Sequence, residues 1–258
     1  MNILFVGDVM GRAGRRALRK FLDKIVKKHK VDFIIANGEN AAGGFGITEK
    51  TAEELYEYGL DVLTMGNHTW DNKDIFNFID YNKRLIRPLN FPKNNPGRGW
   101  IRINKNGRDI TVVNLIGQVY MNTHDSPYHK FMDLYPAIKD SDIIIVDFHA
   151  EASGEKMAFA RAVDGMVNAV IGTHTHVQTN DAQIFKNGTA YITDVGLTGA
   201  VESIIGMKIE NMVEKMKTAL PVRYEVATGE VKINSVLLEI DTENNITKNI
   251  RIINKNNL

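Results

Sequence analysis

Short apolar runs alternate with amphipathic stretches in the first third of the chain. NILFVGDV has the continuous apolar pattern of a buried strand, and RRALRKFLDKIVKKHK after it places Leu18, Leu22 and Ile25 at helical spacing. The alternation recurs in VDFIIANGEN followed by TEKTAEELYEYG, and in DVLTMGNH followed by NKDIFNFIDY. Strands that are apolar on both faces and alternate with helices predict a mainly parallel sheet covered by helices.

The second half of the chain combines this pattern with local β pairing. GWIRINKNGRDITVVNLIG predicts a hairpin that turns at Asn106 and Gly107. SDIIIVDFHAE predicts a buried strand, SGEKMAFARAVDG a helix, and VNAVIGTHTH a strand that ends in two histidines. VRYEVATGEVKINSVLLEID has a hairpin-like pattern. We expect one α/β domain over residues 1–258, because no repeat or low-complexity linker interrupts the pattern.

Composition restricts the chemistry that this fold can carry. The chain has no cysteine, which excludes disulfides, thiolate nucleophiles and cysteine-held metals. Its 32 Lys and Arg residues against 31 Asp and Glu give a net charge of +1, so any recognition of phosphate must be local. Signal-peptide features and apolar runs of about 18 residues are both missing from the sequence, so we expect a cytoplasmic protein without a membrane partner.

Polar side chains end five of the predicted strands. In a parallel sheet the carboxyl ends of the strands lie along one edge, where ligands bind in open α/β folds. The residues are Asp8, Glu39, Asn40, Asn67, His68, His149, His174 and His176. In an extended chain the last two would point to the same side. Each residue has an ordinary structural alternative, such as a turn or a hydrogen-bonded core histidine, but together these groups suit a pair of divalent transition metals.

Other polar residues give weaker signals. Arg12, Arg15 and Arg16 follow the first predicted strand and begin a helix, where a phosphate could meet both guanidinium groups and the helix N-terminus. A solvated basic helix face is the alternative interpretation. His124 and His129 lie in a segment with the composition of an exposed loop and are minor candidates for substrate contact.

The sequence blocks around the strand ends resemble the signature of the calcineurin-like metallophosphoesterases. GDV, NGEN, GNH, FH and GTHTH occur in the order and spacing of that family over nearly the whole chain. Met10 stands where most members have a histidine, and Glu39 where most have an aspartate. Both differences, together with GDVMGRAGR, ANGENAAGGFGIT and YITDVGLTG, resemble the YmdB-like branch, bacterial proteins described as 2′,3′-cyclic-nucleotide phosphodiesterases.

This resemblance implies a four-layer αββα sandwich and a dinuclear metal centre. It assigns Asp8, Glu39, Asn40 and His176 to metal one, and Glu39, Asn67, His149 and His174 to metal two. Asn40 then replaces the ligand lost at Met10, and His68 is free to act as general acid while a hydroxide that bridges the metals attacks phosphorus. The hard ligand set of metal one favours iron or manganese, with zinc as an alternative.

The expected activity is the hydrolysis of cyclic nucleotides, with 2′,3′-cyclic nucleotides first and 3′,5′-cyclic nucleotides as a further substrate class. A phosphomonoesterase or an RNA-directed nuclease on the same metal core stays open, although the net charge does not indicate RNA. A regulatory metal-binding protein that acts through partners is a second alternative. A serine hydrolase is excluded because the chain has no G-x-S-x-G elbow. The sequence leaves the oligomeric state open, a homo-oligomer included.

Overall fold

Two β-sheets pack face to face in the computed structural model, which describes residues 1–122 and 125–254. The strands are β1 (Asn2–Val6), β2 (Asp8–Val9), β3 (Phe33–Asn37), β4 (Val62–Thr64), β5 (Leu85–Ile86), β6 (Trp100–Lys105), β7 (Arg108–Ile116), β8 (Ile143–His149), β9 (Ala169–Thr173), β10 (Gln183–Ile184), β11 (Ala190–Ile192), β12 (Leu197–Ala200), β13 (Val231–Lys232), β14 (Asn234–Asp241) and β15 (Ile246–Asn254). The helices are α1 (Gly11–His29), α2 (Glu49–Glu57), α3 (Pro127–Ile138), α4 (Ser153–Ala162) and α5 (Ile209–Thr218).

Each sheet has a parallel centre and antiparallel strands outside it. The first sheet has the strand order β15-β14-β1-β3-β4-β5, and the second has the order β10-β11-β9-β8-β7-β6. Strands β1, β3, β4 and β5 are parallel in the first sheet, as are β7, β8, β9 and β11 in the second. A three-stranded ribbon, β13-β12-β2, continues from the end of β1. The predicted parallel sheet is therefore present, but as the centres of two sheets.

Apolar side chains on both faces of β1 explain the layering. Ile3 and Phe5 pack between the two sheets, whereas Leu4 and Val6 pack against the helices outside the first sheet. Another apolar cluster joins α3 and α4 to the outer face of the second sheet. The observed fold is the four-layer αββα sandwich that the resemblance implied. Among the described residues, none of the helices combines the length and the apolarity needed to cross a membrane.

The helix predicted over NKDIFNFIDY is wrong. A 3-10 helix spans only Lys73–Asn77, and the backbone N–H groups of Ile75 and Phe78 donate to carbonyls three residues back. The Asn72 side chain accepts a hydrogen bond from Asp74 N at 3.1 Å, which favours a local turn over a continuing α-helix. The buried apolar residues of this segment therefore lie in or beside a short 3-10 turn and not in a third α-helix.

The hairpin predicted over VRYEVATGEVKINSVLLEID is also wrong. Strand β13 pairs with β12, while β14 pairs with β1 and with β15, so the observed hairpin is β14–β15. The hairpin between β6 and β7 is confirmed. Its turn residues Asn106 and Gly107 both have positive φ, which asparagine and glycine tolerate best.

A buried ion pair connects α4 to the residues that follow β11. Lys156 and Asp194 have fully buried side chains, and Lys156 Nζ lies 2.9 Å from Asp194 Oδ2. Lys156 Nζ also donates to the Thr173 carbonyl at 2.8 Å, and Asp194 accepts from Thr175 N at 2.9 Å. The pair therefore holds the backbone on both sides of His174.

Removing one member of this pair should destabilise the fold strongly. We expect Asp194→Asn to lower the free energy of unfolding by about 3–5 kcal/mol, because it leaves an unpaired ammonium in the core. That loss corresponds to a fall in Tm of about 10 °C for a chain of this size. The double variant Lys156→Met/Asp194→Asn, which removes both charges, should regain part of the loss. Urea and thermal unfolding measure both effects; a double variant no more stable than the single one would contradict this account.

Candidate metal centre

The predicted site residues meet where the carboxyl ends of both sheets come together. Asp8 follows β1, Glu39 follows β3 and Asn67 follows β4 in the first sheet. In the second sheet His149 is the last residue of β8, and His174 directly follows β9. The edge predicted for one parallel sheet is thus formed by two sheets, and the site lies between them.

Three side chains converge around one nitrogen of His149. Its Nε2 lies 2.9 Å from Glu39 Oε1, 2.9 Å from Asn67 Oδ1 and 3.1 Å from His174 Nδ1. The donor atoms of Glu39, His149 and His174 lie within 4.8 Å of one another. Imidazole, carboxylate and amide donors at these separations can bind a transition metal.

A second group of donors lies around Asp8. Its Oδ1 is 3.8 Å from His176 Nε2 and 4.0 Å from His149 Nδ1. Asp8 Oδ1 and Asn40 Oδ1 are both buried without a hydrogen-bond partner among the described residues. Buried polar atoms in folded proteins are almost always paired, because an unpaired one costs about 1–3 kcal/mol. A cation bound between these oxygens would satisfy both, so this group also fits a metal.

The two histidines of THTH come together through a loop. Strand β9 ends at Thr173, and His174 and His176 have φ angles of 103° and 65°. Strand alternation therefore does not bring the two histidines together, contrary to the prediction, although both side chains face the site. His176 Nδ1 lies 2.8 Å from the Ile205 carbonyl, to which it can donate, and this leaves Nε2 for Asp8. Positive φ in residues other than glycine is typical of functional sites that the surrounding structure holds in place.

Burial and pairing shift the pKa values of the cluster. Burial raises the pKa of Asp8. Burial alone would also raise the pKa of Glu39, but the charge of His149 and its hydrogen bond lower it to about 2. Burial opposes a charged His149, yet Glu39 and Asp8 outweigh this effect and raise its pKa to about 9. Burial and the neighbouring His149 lower the pKa of His174 to about 3. The cluster thus favours a positive charge between Asp8 and Glu39.

Polar groups behind the cluster orient His149. Thr173 Oγ1 lies 2.9 Å from His149 Nδ1 and donates to Asp147 Oδ1 at 2.7 Å. Burial raises the pKa of Asp147 to about 7. Asp147 was not predicted as a site residue, although a carboxylate inside an otherwise apolar strand, two residues before a candidate ligand, was an available signal. Such partners fix ligand orientation in metal sites.

His68 lies at the rim of the site with its ring held from two sides. Its backbone N donates to Glu39 Oε2 at 2.8 Å, and its Nδ1 lies 2.7 Å from Asp71 Oδ2. The His68 and Phe45 rings pack in a T-shaped arrangement, with 5.0 Å between centroids. On the other side of the cluster, His174 Nε2 lies 3.0 Å from Glu151 Oε2. Asp71 and Glu151 were also missed, because an exposed acidic residue carries no signal in the sequence.

The neighbourhood of Met10 accounts for the departure from most metallophosphoesterases. Met10 is buried in an apolar cluster with Leu197 and Met207. The Met10 side chain therefore contributes to packing, and the nearby Asn40 Oδ1 is buried without a hydrogen-bond partner among the described residues.

The arginines after Asp8 differ in their contacts. Arg15 donates to the Ala41 carbonyl at 2.6 Å and forms an ion pair with Glu54 at 2.7 Å, so it holds the loop that follows Asn40. Arg12 is exposed. Substrate binding by either residue stays a prediction. His129 lies exposed in α3 beside Tyr128, and His124 lies outside the described residues.

The αββα sandwich and the donor cluster between its sheets define a metal-dependent phosphoesterase of the metallophosphoesterase class. The family model described as YmdB-like protein matches residues 4–253, and the chain belongs to this family.

Relatives agree with this assignment along nearly the full length of the chain. A protein of Bacillus subtilis named 2′,3′-cyclic-nucleotide 2′-phosphodiesterase is 47% identical over 244 residues, which cover 94% of this chain and 92% of the relative. A hypothetical protein of Thermus thermophilus has a crystal structure with a TM-score of 0.93 and 37% identity, covering 98% of each chain. A structure titled a novel phosphatase, from Mycoplasma pneumoniae, has a TM-score of 0.93 and 35% identity, covering 98% of this chain and 92% of the other.

Close packing of Gly66 against His149 and Glu39 allows a test of whether the cluster binds metal. A Cβ at this position would overlap His149 Nε2 and lie 2.5 Å from Glu39 Oε2. We expect Gly66→Ala to separate these donors and to reduce metal affinity about 10–100-fold, as lost support of ligands commonly does. Elemental analysis after dialysis against a metal buffer measures the change.

Gly38→Ala is the matched control, because its added Cβ would meet Ile47 Cδ1 at an ordinary 3.4 Å beside the same cluster. It should retain metal. Equal metal affinity in the two variants would show that the cluster is not a metal site.

Proposed function

We propose that the protein hydrolyses 2′,3′-cyclic nucleotides with two transition-metal ions held between its sheets. The observation that carries the proposal is the cluster of Glu39, His149 and His174 beside the buried oxygens of Asp8 and Asn40, which have no hydrogen-bond partner among the described residues. The name of the Bacillus subtilis relative supports the substrate class. Cyclic 3′,5′-nucleotides are a further substrate class in this proposal.

The donors divide into two sets that share one carboxylate. Metal one would be held by Asp8, Glu39, Asn40 and His176, and metal two by Glu39, Asn67, His149 and His174. Bound ions of this kind supply a hydroxide nucleophile at neutral pH and neutralise the charge of a phosphate. Two carboxylates and an amide make metal one a hard site, which favours iron or manganese, with zinc as an alternative.

His68 would act as the general acid. Because Nδ1 is held by Asp71, Nε2 is the ring nitrogen that can carry a proton toward the substrate. The leaving group of a cyclic diester is a ribose alkoxide, which gains strongly from protonation. Phe45 limits rotation of the imidazole, and the bond from His68 N to Glu39 ties its backbone to the donor cluster. Asp71 is therefore a positioning residue for this step.

A substrate panel tests the proposed activity. We expect 2′,3′-cyclic AMP to have the highest kcat/KM among 2′,3′-cyclic AMP, 3′,5′-cyclic AMP, 3′-AMP and an RNA without a cyclic end. Chelation should abolish the activity, and manganese or iron should restore it, because the donors alone supply no nucleophile. Faster hydrolysis of the monoester or internal cleavage of RNA would favour a phosphomonoesterase or a nuclease. No turnover by the metal-loaded protein would favour a regulatory metal-binding protein.

A pair of histidine variants separates metal binding from proton transfer. His174→Ala should lose metal and activity together, because it removes a proposed ligand. His68→Ala should keep both metals and lower kcat about 10²–10⁴-fold for the ribose ester, but much less for a nitrophenyl ester that needs no proton.

Elemental analysis and steady-state kinetics on both substrates provide the measurement. His29→Ala, at the end of α1, is the control for loss of a histidine. Loss of metal from His68→Ala, or equal slowing of both substrates, would rule out the general-acid role.

A further inference from the structure

Helix α1 carries arginines along one exposed side. Arg12, Arg15, Arg16 and Arg19 follow the spacing i, i+3, i+4 and i+7, which places them on one face of the helix. Arg15 is occupied by Glu54 and a backbone carbonyl. Within the described part of the chain, Arg12 and Arg19 form neither hydrogen bonds nor ion pairs, and Arg16 reaches only one carbonyl, at 3.3 Å. Most of this positive charge is therefore free to meet a ligand.

A depression of about 350 Å³ lies between the start of α1 and residues 223–228. Arg12, Arg16 and Arg223 line it together with Tyr224. A second depression of about 550 Å³ shares the first two arginines and continues along α1 to Arg19. We call Arg12, Arg16, Arg19 and Arg223 the arginine surface.

The acidic groups of these depressions do not cancel their positive charge. Glu225, in the wall of the first, forms an ion pair with Lys208 at 2.6 Å. Glu54, in the wall of the second, is paired with Arg15. The chain as a whole has a net charge of only +1, so this surface is a local concentration of positive charge.

Aromatic rings connect the arginine surface to the proposed catalytic residue. The Phe45 ring lies 5.0 Å from the His68 ring and 6.2 Å from the Tyr224 ring, measured between centroids. The backbone also connects the two regions, because Gly11 N donates to the Asn40 carbonyl at 2.9 Å. The first turn of α1 is thus bonded directly to a proposed metal ligand. A chain of nucleotides that ends at the metal centre would continue onto this surface.

We infer that the arginine surface binds the backbone phosphates of an oligoribonucleotide whose 3′ end carries the 2′,3′-cyclic phosphate. This inference rests on the proposed function, since that terminal phosphate is the reacting group. Water adds to phosphorus, the bond from phosphorus to O2′ breaks, and O2′ takes a proton, which leaves a 3′-phosphate on the RNA. The stretch from Arg12 to Arg19 is about 10 Å long at 1.5 Å per residue. It matches about three nucleotides of a stacked strand at 3.4 Å each.

Comparison of two substrates with the same reacting end tests the inference. The substrates are 2′,3′-cyclic AMP and a triadenylate that ends in a 2′,3′-cyclic phosphate. We expect the native protein to have a kcat/KM about tenfold higher for the triadenylate. The advantage should shrink with salt, with a logarithmic slope of about −0.7 for each phosphate contacted. The double variant Arg16→Gln/Arg223→Gln should lower kcat/KM about tenfold for the triadenylate and less than about threefold for the mononucleotide.

Lys24→Gln/Lys186→Gln is the control, because it removes two exposed positive charges outside the arginine surface. This control should change kcat/KM for the triadenylate and for the mononucleotide by less than about twofold. Thermal unfolding of both double variants checks that they fold normally. Equal kcat/KM of the native protein on the two substrates, or an equal fall for both in the arginine variant, would overturn the inference and leave the proposed function intact.

Failure of the proposed function is detected separately. If the metal-loaded protein turns over neither substrate, the proposed activity is wrong, and binding of a fluorescent triadenylate 3′-phosphate then decides whether the surface recognises RNA. Tighter binding by the native protein than by the arginine variant would support that recognition. Equal affinity of the native protein and the arginine variant for the triadenylate would overturn it. So would displacement of the triadenylate by inorganic tripolyphosphate as effectively as by unlabelled triadenylate.

Discussion

Asp8 and Glu39 are almost completely removed from water at the edge where the two sheets meet, and the site depends on compensation of their charge. A buried carboxylate is costly unless a cation or hydrogen-bond donors face it. In this protein the facing groups are imidazoles, chiefly His149, whose pKa rises to about 9 for the same reason. A cation bound between the carboxylates would compensate their charge, and metal binding is the chemistry that such an arrangement serves in phosphoesterases.

The surrounding fold makes this costly cluster possible by holding its members on both sheets. His149 belongs to a central strand, and Thr173 and Asp147 fix its ring. His174 lies in a loop after β9, and the Lys156–Asp194 pair holds the backbone of this loop. Lys156 donates to the Thr173 carbonyl, and Asp194 accepts from Thr175 N. Four of the proposed ligands, Asp8, Glu39, Asn40 and His149, are therefore buried between the sheets. The arginines proposed to bind substrate lie on the exposed rim, where their charges can remain solvated until a ligand arrives.

Much of the fold and of the site could be predicted before the structure. Apolar runs alternating with amphipathic stretches predicted the α/β class, because burial of each face fixes the local periodicity. Polar residues at strand ends predicted where Glu39, Asn67 and His149 would meet, since parallel strands present their carboxyl ends together. The sequence blocks predicted the family and, through it, the four layers. Pattern alone indicated one parallel sheet, because periodicity shows that a face is buried and not what covers it.

Tertiary structure decided what depends on residues far apart in the chain. Lys156 and Asp194 are ordinary charged residues in the sequence, and only the fold, which brings α4 next to the residues after β11, makes them a buried pair. Strand β14 pairs with β1 and β15 and not with β13, because strand pairing depends on the assembly of the whole sheet and not only on the preceding turn. His174 and His176 were predicted to meet through strand alternation, but they meet because distant contacts hold their loop at positive φ. The sequence by itself determined which side chains are candidates for the chemistry; their positions in space depend on long-range contacts that no local pattern encodes.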